Sequence, residues 1–218
     1  LLAASMTAAV PNAVSAQESL IQRLGLDKLQ INSLGLSAGR VLPSQIDPTM
    51  IYAFSADYGE IAPSLRVMFT TSYWSSKYRD AVVRAFVDSL NKQLVDPTGV
   101  ARVRESRITV YDVTLGADVR YVPTYSGELK PFFGFGLAAH VINAEGKLIQ
   151  GTFVERSLDD IAAGMYLTAG VSFRLVQHLG VEGTVRADLL SGFRSTQARA
   201  GATYFFGRMR GMTPRTPN

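Results

Sequence analysis

The chain has no cysteine, two histidines (His140 and His178), one tryptophan (Trp74), and only 18% of its 218 residues are charged. Without cysteine there is no disulfide framework, no thiolate metal site and no cysteine nucleophile. Two histidines leave little scope for metal binding or acid–base catalysis, and no cofactor or metal is expected. Beyond residue 16 no stretch approaches the roughly 18 consecutive apolar residues of a membrane-spanning helix. Bulk disorder is excluded as well, because the charge fraction is low and 47% of residues are hydrophobic. A mildly hydrophobic, glycine-rich chain without apolar runs must distribute its apolar residues in some other pattern.

The compartment is written at the start. Residues 1–16 are uncharged, apolar and small, and they end in Val14-Ser15-Ala16 before Gln17-Glu18. Small residues at the third and first positions before a cut are what a signal peptidase accepts. Residues 1–16 are therefore expected to be the remnant of a signal peptide, and the mature chain to be exported.

From residue 33 onward the sequence repeats with period two, the strand period. Tyr111, Val113, Leu115, Ala117, Val119 and Tyr121 alternate with Asp112, Thr114, Gly116, Asp118 and Arg120. Phe133, Phe135, Leu137, Ala139 and Val141 alternate with Gly134, Gly136, Ala138 and His140. Comparable runs occupy 52–59, 65–73, 165–175, 181–189 and 198–206, and a weaker one spans 33–39, making eight segments. Short turns at Pro63-Ser64, 125–128 and 177–180 alternate with links at about 41–50, 77–106, 143–163 and 191–196. Tight turns at one end and longer links at the other predict an up-and-down antiparallel barrel.

A soluble eight-stranded carrier of the lipocalin type would show the same alternation with the faces exchanged, so the polar face decides. A water-exposed wall is studded with lysine and glutamate, yet all five lysines lie in loops, turns or strand margins. The polar positions instead carry Gly, Ser, Thr and Ala with balanced charges. Asp57, Asp112, Asp118, Glu182 and Asp188 stand against Arg66, Arg120, Arg174, Arg186 and Arg199. Small residues and paired ions suit a narrow lumen. The apolar face is bordered by aromatics such as Tyr52, Tyr73, Tyr111, Tyr121 and Phe133, as membrane interfaces require. The expected fold is all-β: an eight-stranded transmembrane barrel whose segments each supply roughly nine to eleven residues.

With these features the chain resembles the OmpA-, OmpX- and OmpW-like eight-stranded outer-membrane barrels of Gram-negative bacteria, over about residues 29–207. The most specific match is the last strand. Arg199, Gly201, Tyr204 and Phe206 fill, in order, the places of the family's C-terminal assembly signal. The resemblance implies residence in the bacterial outer membrane and insertion by the barrel-assembly machinery. One departure is the continuation past Phe206 into a basic segment, 208–218, expected to hang in the periplasm. Residues 17–28 are expected to be a periplasmic N-terminal segment.

Between Arg79 and Val95 the period changes. Val82, Phe86, Leu90 and Leu94, with Val83 and Val87 beside them, fall on one side of a helix, and Asp96-Pro97 stops it. This short helix is expected in the second extracellular loop, either packing its stripe on the barrel rim or serving as a lid or partner-binding helix over the barrel mouth. The same loop, 77–107, holds seven basic and four acidic residues, a rim suited to lipopolysaccharide phosphates. Nucleic acid is not expected as a partner, because the net +4 is divided between loop and tail.

Arg66, Asp118, Arg120, Arg174 and Glu182 fall near the turn end and predict an ion-pair cluster there, joined by Arg186 and Asp188. Such a plug makes an open porin unsuitable as a reading. Catalysis is not expected: the lipid A deacylases on this fold need a serine two residues after the histidine, and Ile142 follows His140. Two roles remain: a monomeric structural or surface-interaction barrel with a closed, salt-bridged lumen, and a narrow passive channel for small solutes, hydrophobic ones among them.

Overall fold

The computed structural model describes residues 30–93, 107–124, 128–146, 160–190 and 193–206. The expected signal remnant, the 17–28 segment, the 208–218 tail and Leu94 lie outside the described residues. Eight strands follow one another: β1 (Ser33–Pro43), β2 (Thr49–Ala62), β3 (Leu65–Lys77), β4 (Thr109–Tyr121), β5 (Leu129–Glu145), β6 (Asp160–Val176), β7 (Leu179–Leu190) and β8 (Phe193–Phe205). One helix, α1 (Asp80–Gln93), sits between β3 and β4. The strands close into one barrel in sequence order. β8 returns to β1 in an antiparallel ladder from Ser33 opposite Phe205 to Pro43 opposite Ser195.

Strand length departs from the expectation of nine to eleven residues. β1 has 11 residues, whereas β5 and β6 have 17 each. Only about nine to eleven tilted residues are needed to cross hydrocarbon, so the longest strands carry the sheet beyond the bilayer. On β5 the outward positions turn polar at Asn143 and Glu145, marking where that happens. The connection from β1 to β2 shrinks accordingly to 44–48. At the turn end, Ser64 adopts a left-handed φ of 65° in the tight β2–β3 turn. Near the same end Gly59, with φ 97°, sits in a bulge that shifts the β2–β3 register. The Asp57 carboxylate accepts the Gly59 N–H at 2.8 Å and holds the bulge.

The alternation assigns the faces. Leu36, Phe133 and Leu137 point outward and are 62–69% exposed, together with some two dozen other large apolar side chains. Soluble monomers rarely expose apolar patches beyond a few hundred Å², so this outer wall excludes a water-soluble carrier. Among the described residues its charged side chains lie at the loop-end margin, as Arg40, Lys77, Glu145 and Arg194, while Glu60 at the turn end stands opposite the lumen-facing Arg66. Among the described residues no helix is long and apolar enough to cross a membrane.

Helix α1 corrects one detail of the sequence reading. Its buried ridge is Val83 and Val87, one turn apart and each 8% exposed, while Phe86 is 45% exposed and Val82 half-buried. Leu90 belongs to the helix, but its side chain lies outside the described residues. The tether explains the rotation. Arg79, just before the helix, donates through Nε to the Ile46 carbonyl and through Nη2 to that of Pro43, both at 3.2 Å. The helix start is thereby strapped to the 44–48 connection, and the strap fixes which side faces inward. Asp80 in the first turn and Lys92 in the last complement the helix dipole. Val87→Asp is expected to release the helix and expose it to limited proteolysis. Phe86→Ser should shift stability by no more than about 0.5 kcal/mol.

Candidate functional site: a lumen filled in three levels

The lumen-facing positions of the strands meet inside a barrel just wide enough for side chains to fill. Nearest the turn end, Arg66 Nη2 pairs with Asp57 Oδ2 at 2.6 Å. Across the lumen, Arg120 donates through Nε to Asp118 at 2.7 Å and through Nη1 to Glu182 at 3.1 Å. Thr184 adds a hydrogen bond to Glu182 at 2.9 Å, and the Tyr166 hydroxyl donates to the other Asp118 oxygen at 2.7 Å. The Arg120 guanidinium lies 4.6 Å from the Phe132 ring centroid. Here the carboxylates are bound by several donors each, the condition under which buried charges are tolerated.

The middle level is organised by Asp188. Arg186 binds its Oδ1 through Nε at 2.7 Å, while Ser195 and Gln197 donate to Oδ2 at 3.1 and 2.9 Å. The Arg186 guanidinium stacks 3.5 Å from the Tyr166 centroid, so this ring joins the two charged levels. Space for it comes from Gly136, opposite Tyr166 in register. A Cβ on Gly136 would lie 2.5 Å from Tyr166 Cζ and 2.7 Å from Asp118 Cβ. His140 lies between two acids, with Nδ1 2.9 Å from Asp112 Oδ2 and Nε2 3.9 Å from Asp188 Oδ1. Nδ1 also lies 3.1 Å from the Thr114 hydroxyl, so neighbours on both sides of the ring hold it. His140 is therefore a held lumen residue.

Above the ions, toward the loop end, the lumen becomes apolar. Val41, Ile46, Ile51, Trp74, Ile108, Val110 and Ala144 form one buried cluster, with Tyr78 and Ile142 packed against it. Ile46 reaches this cap from the 44–48 connection, which bridges to Tyr78. Burial raises the Tyr78 phenol above its ordinary value, keeping the hydroxyl neutral. The connection is fastened by Ser76 donating to the Asp47 carbonyl at 2.7 Å and Thr49 to that of Ser75 at 2.8 Å.

The residues named from sequence therefore fall as follows. Asp118, Arg120 and Glu182 meet in one group, Arg186 and Asp188 in a second, and Arg66 pairs separately with Asp57. Arg174 departs from the expected cluster. Among the described residues no carboxylate lies within 4 Å of it, and its guanidinium rests 3.8 Å from the Phe205 centroid. Its position beside the β8 end gives it a ring, not an acid, to cover. In the C-terminal motif, Arg199 and Gly201 face the lumen, while Tyr204 and Phe206 point outward, each 51% exposed. Their rings meet edge-to-face at 5.4 Å, and His178 stacks on Tyr204 at 5.8 Å. Sequence reasoning passed over Tyr166, the Asp112–His140 pair and the cap. The signal for the cap was present, because Val41, Ile51, Trp74, Val110 and Ile142 are large apolar residues at polar-face parity.

No family model and no curated protein matches the chain. Among solved structures it is similar to the neisserial surface protein A, NspA, with 16% identity and a TM-score of 0.51, over 80% of this chain and 96% of that one. It is also similar to the outer membrane protein OprG from Pseudomonas aeruginosa, with 11% identity and a TM-score of 0.47, over 82% and 97% of the two chains. A major outer membrane protein from Thermus thermophilus aligns with 14% identity and a TM-score of 0.46, over 81% and 100%. The chain has the fold of the eight-stranded outer-membrane barrels, and its uncharged, apolar outer belt is the surface that such a fold turns to lipid.

Proposed function

We propose that this protein is a closed, monomeric outer-membrane barrel whose role lies in envelope structure and surface contact, without solute flow or catalysis. The observation that carries the reading is the apolar cap over a charged lumen. A water-filled route would have to pass Val41, Ile51, Trp74 and Val110, each at most 3% exposed, and then two levels of ion pairs. The burial of His140 between two carboxylates likewise supports a packing role over catalysis. At the outer rim Arg84, Lys92 and Arg107 are exposed, and they suit contacts with lipopolysaccharide phosphates. The outward Tyr204 and Phe206 suit recognition by the barrel-assembly machinery.

A second reading, a narrow passage for small apolar solutes, draws on the same cap, since an apolar mouth would admit such molecules if its side chains parted. Planar-bilayer recording separates water-filled pores from a closed barrel. Purified protein is expected to give no resolved single-channel steps in molar salt, and reproducible steps would overturn the closed-lumen reading. Uptake of an apolar dye into vesicles that carry the non-conducting barrel would favour the second reading.

A further inference from the structure

The lipid-facing wall is not uniform. Over β1 to β4 it sinks into a groove of about 550 Å³, lined on its outer side by Leu36, Ala38, Tyr52, Phe54, Thr71 and Tyr73. The register explains the depression. Ala38 lies opposite Tyr52, Tyr52 opposite Tyr73, Leu36 opposite Phe54 and Phe54 opposite Thr71. The small side chains Ala38 on β1 and Thr71 on β3 are thus the low points of this face, on either side of Tyr52 and Phe54 on β2. On the other flank β8 presents Ala200 beside Ala38 and Ala202 beside Leu36, so nothing bulky closes that side.

Directly above the groove stands Arg40. It is two residues beyond Ala38 on the same face, about 6.8 Å farther along the strand. It is exposed, and its register partners are Met50 on β2 and Ala198 on β8, neither of them acidic. Among the described residues it makes no ion pair. It lies one row toward the loop end from the rings of Tyr52 and Tyr73, the kind of aromatic border that marks a membrane interface. An arginine at that height faces headgroups, and its planar fork matches a phosphate.

We propose that this groove and Arg40 form a specific site for one phosphate-bearing lipid of the leaflet at the loop end. An acyl chain lies along Ala38 and Leu36, and the phosphate is held by the Arg40 guanidinium. Apolar burial alone does not localise the lipid, because bilayer hydrocarbon is as apolar as the groove. Shape lets a chain make close contacts where a flat wall makes fewer, and the charge pair chooses the headgroup. The site rests on the membrane location, and it is separate from the loop rim and from lumen conductance. Its failure would leave the closed-lumen reading intact.

The test is native mass spectrometry of the barrel refolded in detergent, titrated with phosphatidylglycerol and, separately, with diacylglycerol of the same chains. One phosphatidylglycerol per barrel is expected to be retained, at about tenfold lower concentration than diacylglycerol. Arg40→Gln should erase that preference while leaving diacylglycerol retention unchanged. Ala38→Phe, which fills one low point with a residue suited to a lipid-facing wall, should weaken retention of both lipids, and Thr71→Phe provides a second filling variant. Equal retention of the two lipids by the unaltered protein, an unchanged preference in Arg40→Gln, or a paired barrel in place of a lipid adduct would each overturn the site.

Discussion

Replacing Asp188 by alanine is expected to lower folding stability by about 3–5 kcal/mol, the cost of breaking a buried ion pair from one side. Asp188 is 1% exposed and accepts from Arg186, Ser195 and Gln197, with His140 close by. Its removal leaves a cation and two polar groups facing each other in a space that bulk water does not reach. The charge carries most of the effect, so the double substitution Arg186→Met with Asp188→Leu should recover most of the loss. Urea titration of the barrel in detergent micelles, read by the gel shift between folded and heat-unfolded protein, measures both. A single variant within about 1 kcal/mol of the unaltered protein would mean that solvent already screens the pair, as it does at exposed sites.

Trp74→Ala should be comparably severe, at about 3–5 kcal/mol, in line with large aromatic truncations in packed interiors. Trp74 is 3% exposed within the cap formed with Val41, Ile51 and Val110. These four residues are rooted on four different strands, so the neighbours cannot collapse into the space a lost indole leaves. Trp74→Phe should cost far less, because most of the apolar volume is kept. Neither variant is expected to conduct, since the ion-paired levels beneath remain. The same urea titration, joined to bilayer recording, checks the two statements independently. A conducting Trp74→Ala would make the cap the sole barrier.

How far the sequence carries depends on what period two encodes. Alternation fixes the face of each side chain, so it assigned the lumen to Asp118, Arg120, Glu182, Arg186 and Asp188 and the lipid to Leu36, Phe135 and Leu167. It says nothing about height along the axis or about which residue reaches across. Those depend on strand stagger and side-chain length, which is why Arg174 meets Phe205 instead of an acid and why Asp57 takes Arg66. Parity also carries no label for chemistry. The polar face turns apolar at Ile51, Trp74 and Val110 without breaking the alternation, so the cap was hidden in plain view. Helix α1 failed differently. Its apolar residues form a stripe wide enough to be rotated, and the Arg79 strap selected Val83 and Val87 over Val82 and Phe86.

The seam between β1 and β8 has a kinetic consequence. Ser33 finds its partner in Phe205 and Pro43 in Ser195, so the ring cannot close until nearly the whole strand-bearing chain is present. Contacts so distant in sequence form slowly, because chain entropy is lost before they return anything. Until then the sheet carries two raw edges, whose unpaired N–H and C=O groups cannot be left in hydrocarbon. A nascent chain lacking its last strand is therefore an aggregation-prone ribbon that must stay in water or in the grip of another protein. Closure of this seam, more than any single ion pair in the lumen, is the event that commits the chain to the membrane.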